Sequence, residues 1–180
     1  MSLAIINEII EANEKYGQLK RVNFFENVIF SYQWWILLFI TFVVWIIWGL
    51  LVDKSRMKNI FLVGMTTSLL AVILDGIGLT LNLWAYPYQL LYFTGQLFTV
   101  DLAIIPVFYM LLYQYSRTWK SYFVKLILLS IFATFVAEPI FVKLDIYRLL
   151  QWEHWYSTPF YILIGVFVKW LVDKIDERSA

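Results

Sequence analysis

From Trp34 to Val52 the chain carries no charged residue, and from Ile60 to Leu83 it carries only Asp75. About 20 apolar residues in a helix are enough to cross the hydrocarbon of a bilayer. Three more runs are similar: Tyr122 to Val142, interrupted by Lys125 and Glu138; Phe98 to Tyr115, with Asp101 and Pro106; and the shorter Pro159 to Val172. None alternates with the period of two that a membrane β-barrel requires. The pattern predicts an all-α integral membrane protein, with five transmembrane helices preceded by an amphipathic N-terminal helix. The expected boundaries are 1–28 for that helix and its linker, 29–174 for the five-helix bundle and 175–180 for a cytoplasmic tail.

Composition points the same way. A soluble domain of 180 residues cannot enclose a chain that is 62% hydrophobic and 15% charged, because small domains have too much surface for their volume. The net charge is +1 and the basic residues are scattered, so no nucleic acid is expected as a partner. The absence of cysteine removes disulfides and thiolate chemistry. The opening stretch MSLAIINEIIEANEKYG lacks a basic segment followed by an apolar one, so it is not read as a signal peptide. Its Leu3, Ile5, Ile6, Ile9 and Ile10 recur at helical spacing with Glu8, Glu11 and Glu14 opposite. That is the pattern of a helix lying on a membrane surface or on the bundle.

Lysine and arginine favour the cytoplasmic side of a membrane. Lys54, Arg56, Lys58, Arg117, Lys120, Lys125, Lys169, Lys174 and Arg178 fall on one side of the five spans, and Lys15, Lys20, Arg21, Lys143 and Arg148 on the other. The N-terminus is therefore expected outside a bacterial cytoplasmic membrane and the C-terminus in the cytoplasm. Most tryptophans, Trp34, Trp84, Trp119 and Trp152 among them, lie near span ends, as interfacial belts do.

Three acids interrupt the apolar runs. At 1.5 Å per helical residue, Asp75 lies roughly 12 Å, Asp101 about 5 Å and Glu138 roughly 8 Å from the outer ends of their spans. Acids at such depth cost at least about 2.5–3.5 kcal/mol each, so they face protein or water and often mark a site. The outer connections match them in character: WAYPYQLLYFTGQ offers Tyr86, and KLDIYRLLQWEHWYSTP offers Tyr147, Trp152, His154 and Tyr156. The expected ligand-binding set is Asp75 and Glu138 as pocket acids, Asp101 and His154 as rim, and Tyr86, Tyr147, Trp152 and Tyr156 as lid. A purely structural role competes at each position. Glu138 beside Pro139 would staple helices through tyrosine hydroxyls, Arg148 or Lys143. Asp75 in LDGIG would stabilise a tight contact, and Asp101 would sit in a first turn capped by Thr99. His154 beside the acids would suit an oxygen-rich divalent site, but no HExxH, paired-His or Cys spacing accompanies it, and no metal is assigned. Catalytic residues and cofactors stay unassigned, since no nucleophile, phosphate-loop or dinucleotide motif occurs.

The ordered segments LDGIGLTLNLWAYP, VDLAIIPVFYMLLYQY, FVAEPIFVKLDIY and QWEHWYSTPFYI resemble a family of small multispanning proteins from Bacillus- and Clostridium-like bacteria. The resemblance covers about residues 60 to 172. It implies a bacterial membrane protein without implying an activity, and draws attention to Asp75, Trp84, Tyr86, Pro87, Asp101, Pro106, Glu138, Pro139, Trp152 and Tyr156. A weaker likeness is to the membrane lycopene cyclases, through Asp75, Trp84-Ala85-Tyr86, Gly95 and Pro106. Those enzymes carry an acid pair after the proline, whereas Val107 and Phe108 stand here.

The function expected is the binding or passage of a small ligand, ion or proton at an outward-facing pocket of buried acids. The alternatives are a membrane enzyme acting on lipid or isoprenoid, with Glu138 or Asp75 as general acid, and a scaffold subunit of a membrane complex. Membrane lipids, a lipophilic small molecule or ion, and a homo-oligomer or larger complex are the expected partners.

Overall fold

The computed structural model describes residues 3–179. The chain is all-α apart from one two-residue β pairing. Helix α1 (Leu3–Asn23) is exposed along its length, except at half-buried Lys20. It leads through a π-helical turn, Phe24–Val28, to Ser31, whose hydroxyl accepts from Trp34 N–H and starts α2 (Tyr32–Leu51). Asp53 in the same way accepts from Ser55 N–H before α3 (Met57–Thr80). Such side-chain caps satisfy N–H groups that a helix start leaves without partners. Thr118 does so for α5 (Trp119–Phe132).

Helix α3 organises the bundle. Ile60, Val63, Gly64, Thr67, Ala71, Asp75 and Gly78 are its buried residues, three or four apart, and so form one continuous stripe. It packs chiefly on α4 (Ile105–Gln114) and on α7 (Ser157–Ser179). Met110, Tyr122, Leu126, Val168 and Val172 complete the core around it. Small residues allow the closest approaches: a Cβ on Gly165 would meet the Leu126 side chain at 2.4 Å, and one on Gly78 would meet the Trp84 ring at 2.0 Å.

Two prolines mark irregular turns. Ile105 N–H reaches back five residues to Val100, closing a π turn over Val100–Ile104, and Pro106 follows. Glu138 N–H likewise reaches Ala133, closing a π turn over Ala133–Ala137 before Pro139 and the short α6 (Glu138–Lys143). A proline inside a helix removes one N–H and crowds the preceding turn, and these turns widen beside it. They are frequent at functional sites.

Helices α3 and α6 end alike. Asn82 and Asp145 take left-handed conformations, with φ of 54° and 57°. Leu83 N–H bonds the Gly78 carbonyl and Ile146 N–H that of Phe141, a helix stop that reverses the chain. The reversals deliver β1 (Trp84–Ala85) and β2 (Arg148–Leu149), which pair antiparallel with Trp84 opposite Leu149. At the other end of the bundle, Gln114 joins α4 to α2 by accepting from Asp53 N–H and donating to the Leu51 carbonyl. Lys169 is buried there, paired with Asp173 at 2.8 Å. Its ammonium lies 4.8 to 5.3 Å from the ring centres of Trp119, Tyr113 and Tyr122, where ring quadrupoles attract a cation.

Among the described residues, three helical segments are long and apolar enough to cross a membrane: Tyr32–Leu51, Lys54–Thr80 and Trp119–Lys143. Val100–Gln114 is apolar but shorter. Helix α7 has the length, yet Lys169, Asp173 and Lys174 interrupt its second half. It continues as helix to Ser179. Ala180, Met1 and Ser2 lie outside the described residues.

Gly78→Ala should force the Trp84 ring aside. Overpacking of this kind costs about 1–3 kcal/mol, so thermal unfolding in detergent should start several degrees lower. Gly17→Ala, where nothing lies within 4 Å of the added Cβ, should not lower it.

Candidate functional site

A cavity of about 470 Å³ opens between α3, the two π turns and α7, beneath the β1–β2 pair. Leu74, Ile105, Phe108, Leu129 and Ile164 give it apolar walls, and Asp75, Asp101 and Glu138 all reach its surface. Three helical segments far apart in sequence therefore bring one acid each to a single space.

Asp75 holds the nearer connection in place. Its Oδ1 accepts from Trp84 Nε1 at 2.8 Å and from the Tyr86 hydroxyl at 2.6 Å. Burial, and Asp75 beside it, hold the Tyr86 hydroxyl well above the usual phenol range, so Tyr86 stays a donor. Gln96 adds a 2.6 Å bond to the Val72 carbonyl. The Asp101 carboxyl adjoins that of Asp75, and the residues are 4% and 7% exposed. Asp75 Oδ2 and Asp101 Oδ2 are enclosed and receive no donor from the described residues. Thr99 does not cap the turn that carries Asp101. Its hydroxyl lies instead 3.0 Å from that of Thr41 on α2, so the π turn is anchored sideways to a neighbouring helix.

Glu138 is the centre of a second cluster. Tyr161 on α7 donates to its Oε1 at 2.9 Å, and His154 Nδ1 lies 3.1 Å from its Oε2. Ser157 is a further hydrogen-bonding neighbour and accepts from Trp152 Nε1 at 3.1 Å. The His154 side chain is 29% exposed and that of Glu138 11%, so the imidazole stands between the carboxyl and the outside. Neither Arg148 nor Lys143 serves Glu138. Both are exposed, and Arg148 faces Asp145 at 3.8 Å.

Tyr147 lies between the two clusters. Its ring stacks on Tyr86 at 5.7 Å and meets Trp84 edge-on at 6.5 Å. Burial, then Glu138 and Asp75, push its hydroxyl far above the usual phenol range. Trp152 crosses Trp84 at 5.2 Å and also lines the cavity. Tyr156 does not line it. This residue is half-buried and packs against Trp155 and Trp152. His154 acts from behind Glu138, outside the cavity wall.

No protein family, curated protein or solved structure matches this chain. The site is therefore read from its own chemistry. No three histidine, aspartate or glutamate side chains among the described residues are grouped to hold a metal ion. The arrangement instead offers an apolar chamber with acceptors concentrated at one end. Pockets of about 300–1,000 Å³ with a few placed polar groups are the usual form of small-molecule sites.

Three contributors escape the sequence pattern. Trp84 reads as an interfacial belt residue, yet its indole N–H is spent on Asp75. Tyr161 sits in an apolar run with nothing to single it out. Ser157 looks like a helix-start residue alone. The nine-residue offset of Trp84 from Asp75 was the one usable signal, since it lets the chain reverse and return to the acid.

Tyr86→Phe removes one of two donors to a buried carboxyl oxygen, which costs about 1–3 kcal/mol. The apparent melting temperature in detergent should fall accordingly. Tyr156→Phe, at a half-buried ring whose hydroxyl makes no hydrogen bond among the described residues, should leave it within experimental error.

Proposed function

We propose that this chain is a bacterial cytoplasmic-membrane protein that binds or passes a small ligand at the acid-lined end of its cavity. The observation that carries this reading is the joint presence of Asp75, Asp101 and Glu138 on one apolar chamber. Intramembrane acids are costly, and structural glue needs no chamber around it. In this reading α2, α3, the segment Val100–Gln114, the segment Trp119–Lys143 and α7 are five spans. The two shorter or more charged ones are sheltered by their neighbours. The N-terminus lies outside and α1 rests amphipathically on the surface, where its exposed Ile5, Ile6, Ile9 and Ile10 meet the headgroup boundary. The excess of lysine and arginine at the Gln114–Asp53 end supports that orientation.

A second reading, a membrane enzyme acting on lipid or isoprenoid, draws support from the Glu138–His154 contact. A carboxyl hydrogen-bonded to an imidazole that reaches outward can be reprotonated after each donation. Glu138→Gln would then abolish turnover while ligand is retained. A binder should instead lose ligand.

Native mass spectrometry from mild detergent is expected to show a bound small molecule on the parent protein. Occupancy should fall by about tenfold or more in Glu138→Gln, the loss equivalent to about 1.4 kcal/mol of binding. A spectrum with no adduct in either protein contradicts the ligand reading. Because the chain has no cysteine, single replacements report topology directly. Glu153→Cys should react with an impermeant maleimide in whole cells, and Ser55→Cys only after the membrane is opened.

A further inference from the structure

The charges around the cavity do not balance. Three carboxyl groups reach its surface, and no lysine or arginine does. Glu138 has Tyr161 and His154 as partners. Asp75 Oδ1 has Trp84 and Tyr86. Asp75 Oδ2 and Asp101 Oδ2 are enclosed and meet no lysine, arginine or histidine among the described residues, and the two carboxyls lie against each other.

The chain's own cations are committed or remote. Lys20 donates to the Thr94 carbonyl, Arg148 pairs with Asp145 at the exposed surface, and Lys143 is exposed. Lys169 is held by Asp173 and three rings near the far end. Buried charge that lacks a counter-charge is strongly unfavourable, and a cation brought by a ligand would supply the one that the chain does not.

The remaining surface limits what that partner is. Most of the wall is apolar, which calls for an apolar body. Around the acids stand Trp84, Tyr86, Tyr147 and Trp152, and aromatic faces attract cations, above all organic ammonium groups. The Tyr147 hydroxyl makes no hydrogen bond within the described residues and is free to orient a polar head. An anionic head would meet three carboxyls and no counter-charge. A bare metal ion would leave the apolar walls unused. The terminal torsion of an aspartate is broad, so Asp101, which takes no part in the contacts to Trp84 and Tyr86, is free to present its carboxyl to a ligand in the cavity it lines.

We propose that the ligand is a lipophilic organic cation, its apolar body between α3, α4, α5 and α7 and its protonated nitrogen among Asp75, Asp101 and Glu138. This rests on the reading of the cavity as a ligand site and adds the charge of the ligand to it.

A matched series separates the two statements: 1-adamantylamine, 1-adamantanol and adamantane-1-carboxylate share one body and differ in head group. Each is titrated against the purified full chain in neutral detergent at pH 7, with binding read by tryptophan fluorescence and calorimetry. The amine should bind at least about tenfold tighter than the alcohol, and the carboxylate weakest. In Asp101→Asn and Glu138→Gln the amine-to-alcohol preference should fall toward one. That ratio is internal to each variant and so does not depend on its stability, while size-exclusion profiles report folding. If the alcohol or the carboxylate binds as well as the amine, or the preference survives both substitutions, the cation proposal fails and the cavity remains a ligand site. If none of the three binds, both fail.

Discussion

A carboxyl group inside an apolar bundle has to find donors, and Asp75 finds two in the segment that follows its own helix. Trp84 Nε1 and the Tyr86 hydroxyl converge on one oxygen, which holds the connection against the bundle and sets where the roof lies. Much else depends on this. Trp84 fits only because Gly78 presents no side chain. The left-handed Asn82 turns the chain back at the right residue. The pairing of Trp84 with Leu149 then fixes the second connection over the same space. Tyr147 and Trp152 reach the cavity because β2 is held there.

Glu138 solves the same problem differently. Its donors come from the chain beyond β2, His154 in the connection and Tyr161 on α7, so this cluster ties helices together where Asp75 ties a helix to its own loop. The cavity is what remains between the two solutions. Asp75 and Glu138 take their donors from the outer connections and α7, whereas Asp101 has only Asp75 beside it. The chamber thus has apolar walls and acids gathered at one end, the general make-up of small-molecule sites.

Much of the framework could be read from the residues. Charge-free runs such as Trp34 to Val52 mark helices long and apolar enough to cross a membrane. Counting helical rise put Asp75, Asp101 and Glu138 at comparable depths, because depth along a helix depends only on residue number. Direction around the axis depends on packing, and there the pattern was silent. It could not tell that Tyr156 stays off the cavity while Tyr161, five residues on, lines it and turns to Glu138. It assigned Thr99 to a cap, although its neighbour across α2 claims the hydroxyl.

The widened turns at Val100–Ile104 and Ala133–Ala137 also make the arrangement depend on spelling length as well as on residue identity. An α-helix advances about 100° per residue, and a π turn accommodates one residue more than a regular turn. The extra residue is taken up within the turn, so the helix beyond keeps its facing. Removing a single residue from either turn would let the helix close to regular geometry, and the change would fall on the turn itself, where Asp101 sits and which Glu138 closes. For related chains, a gap of one position before Pro106 or Pro139 would mark a wall without the widened turn, even where every acid is retained.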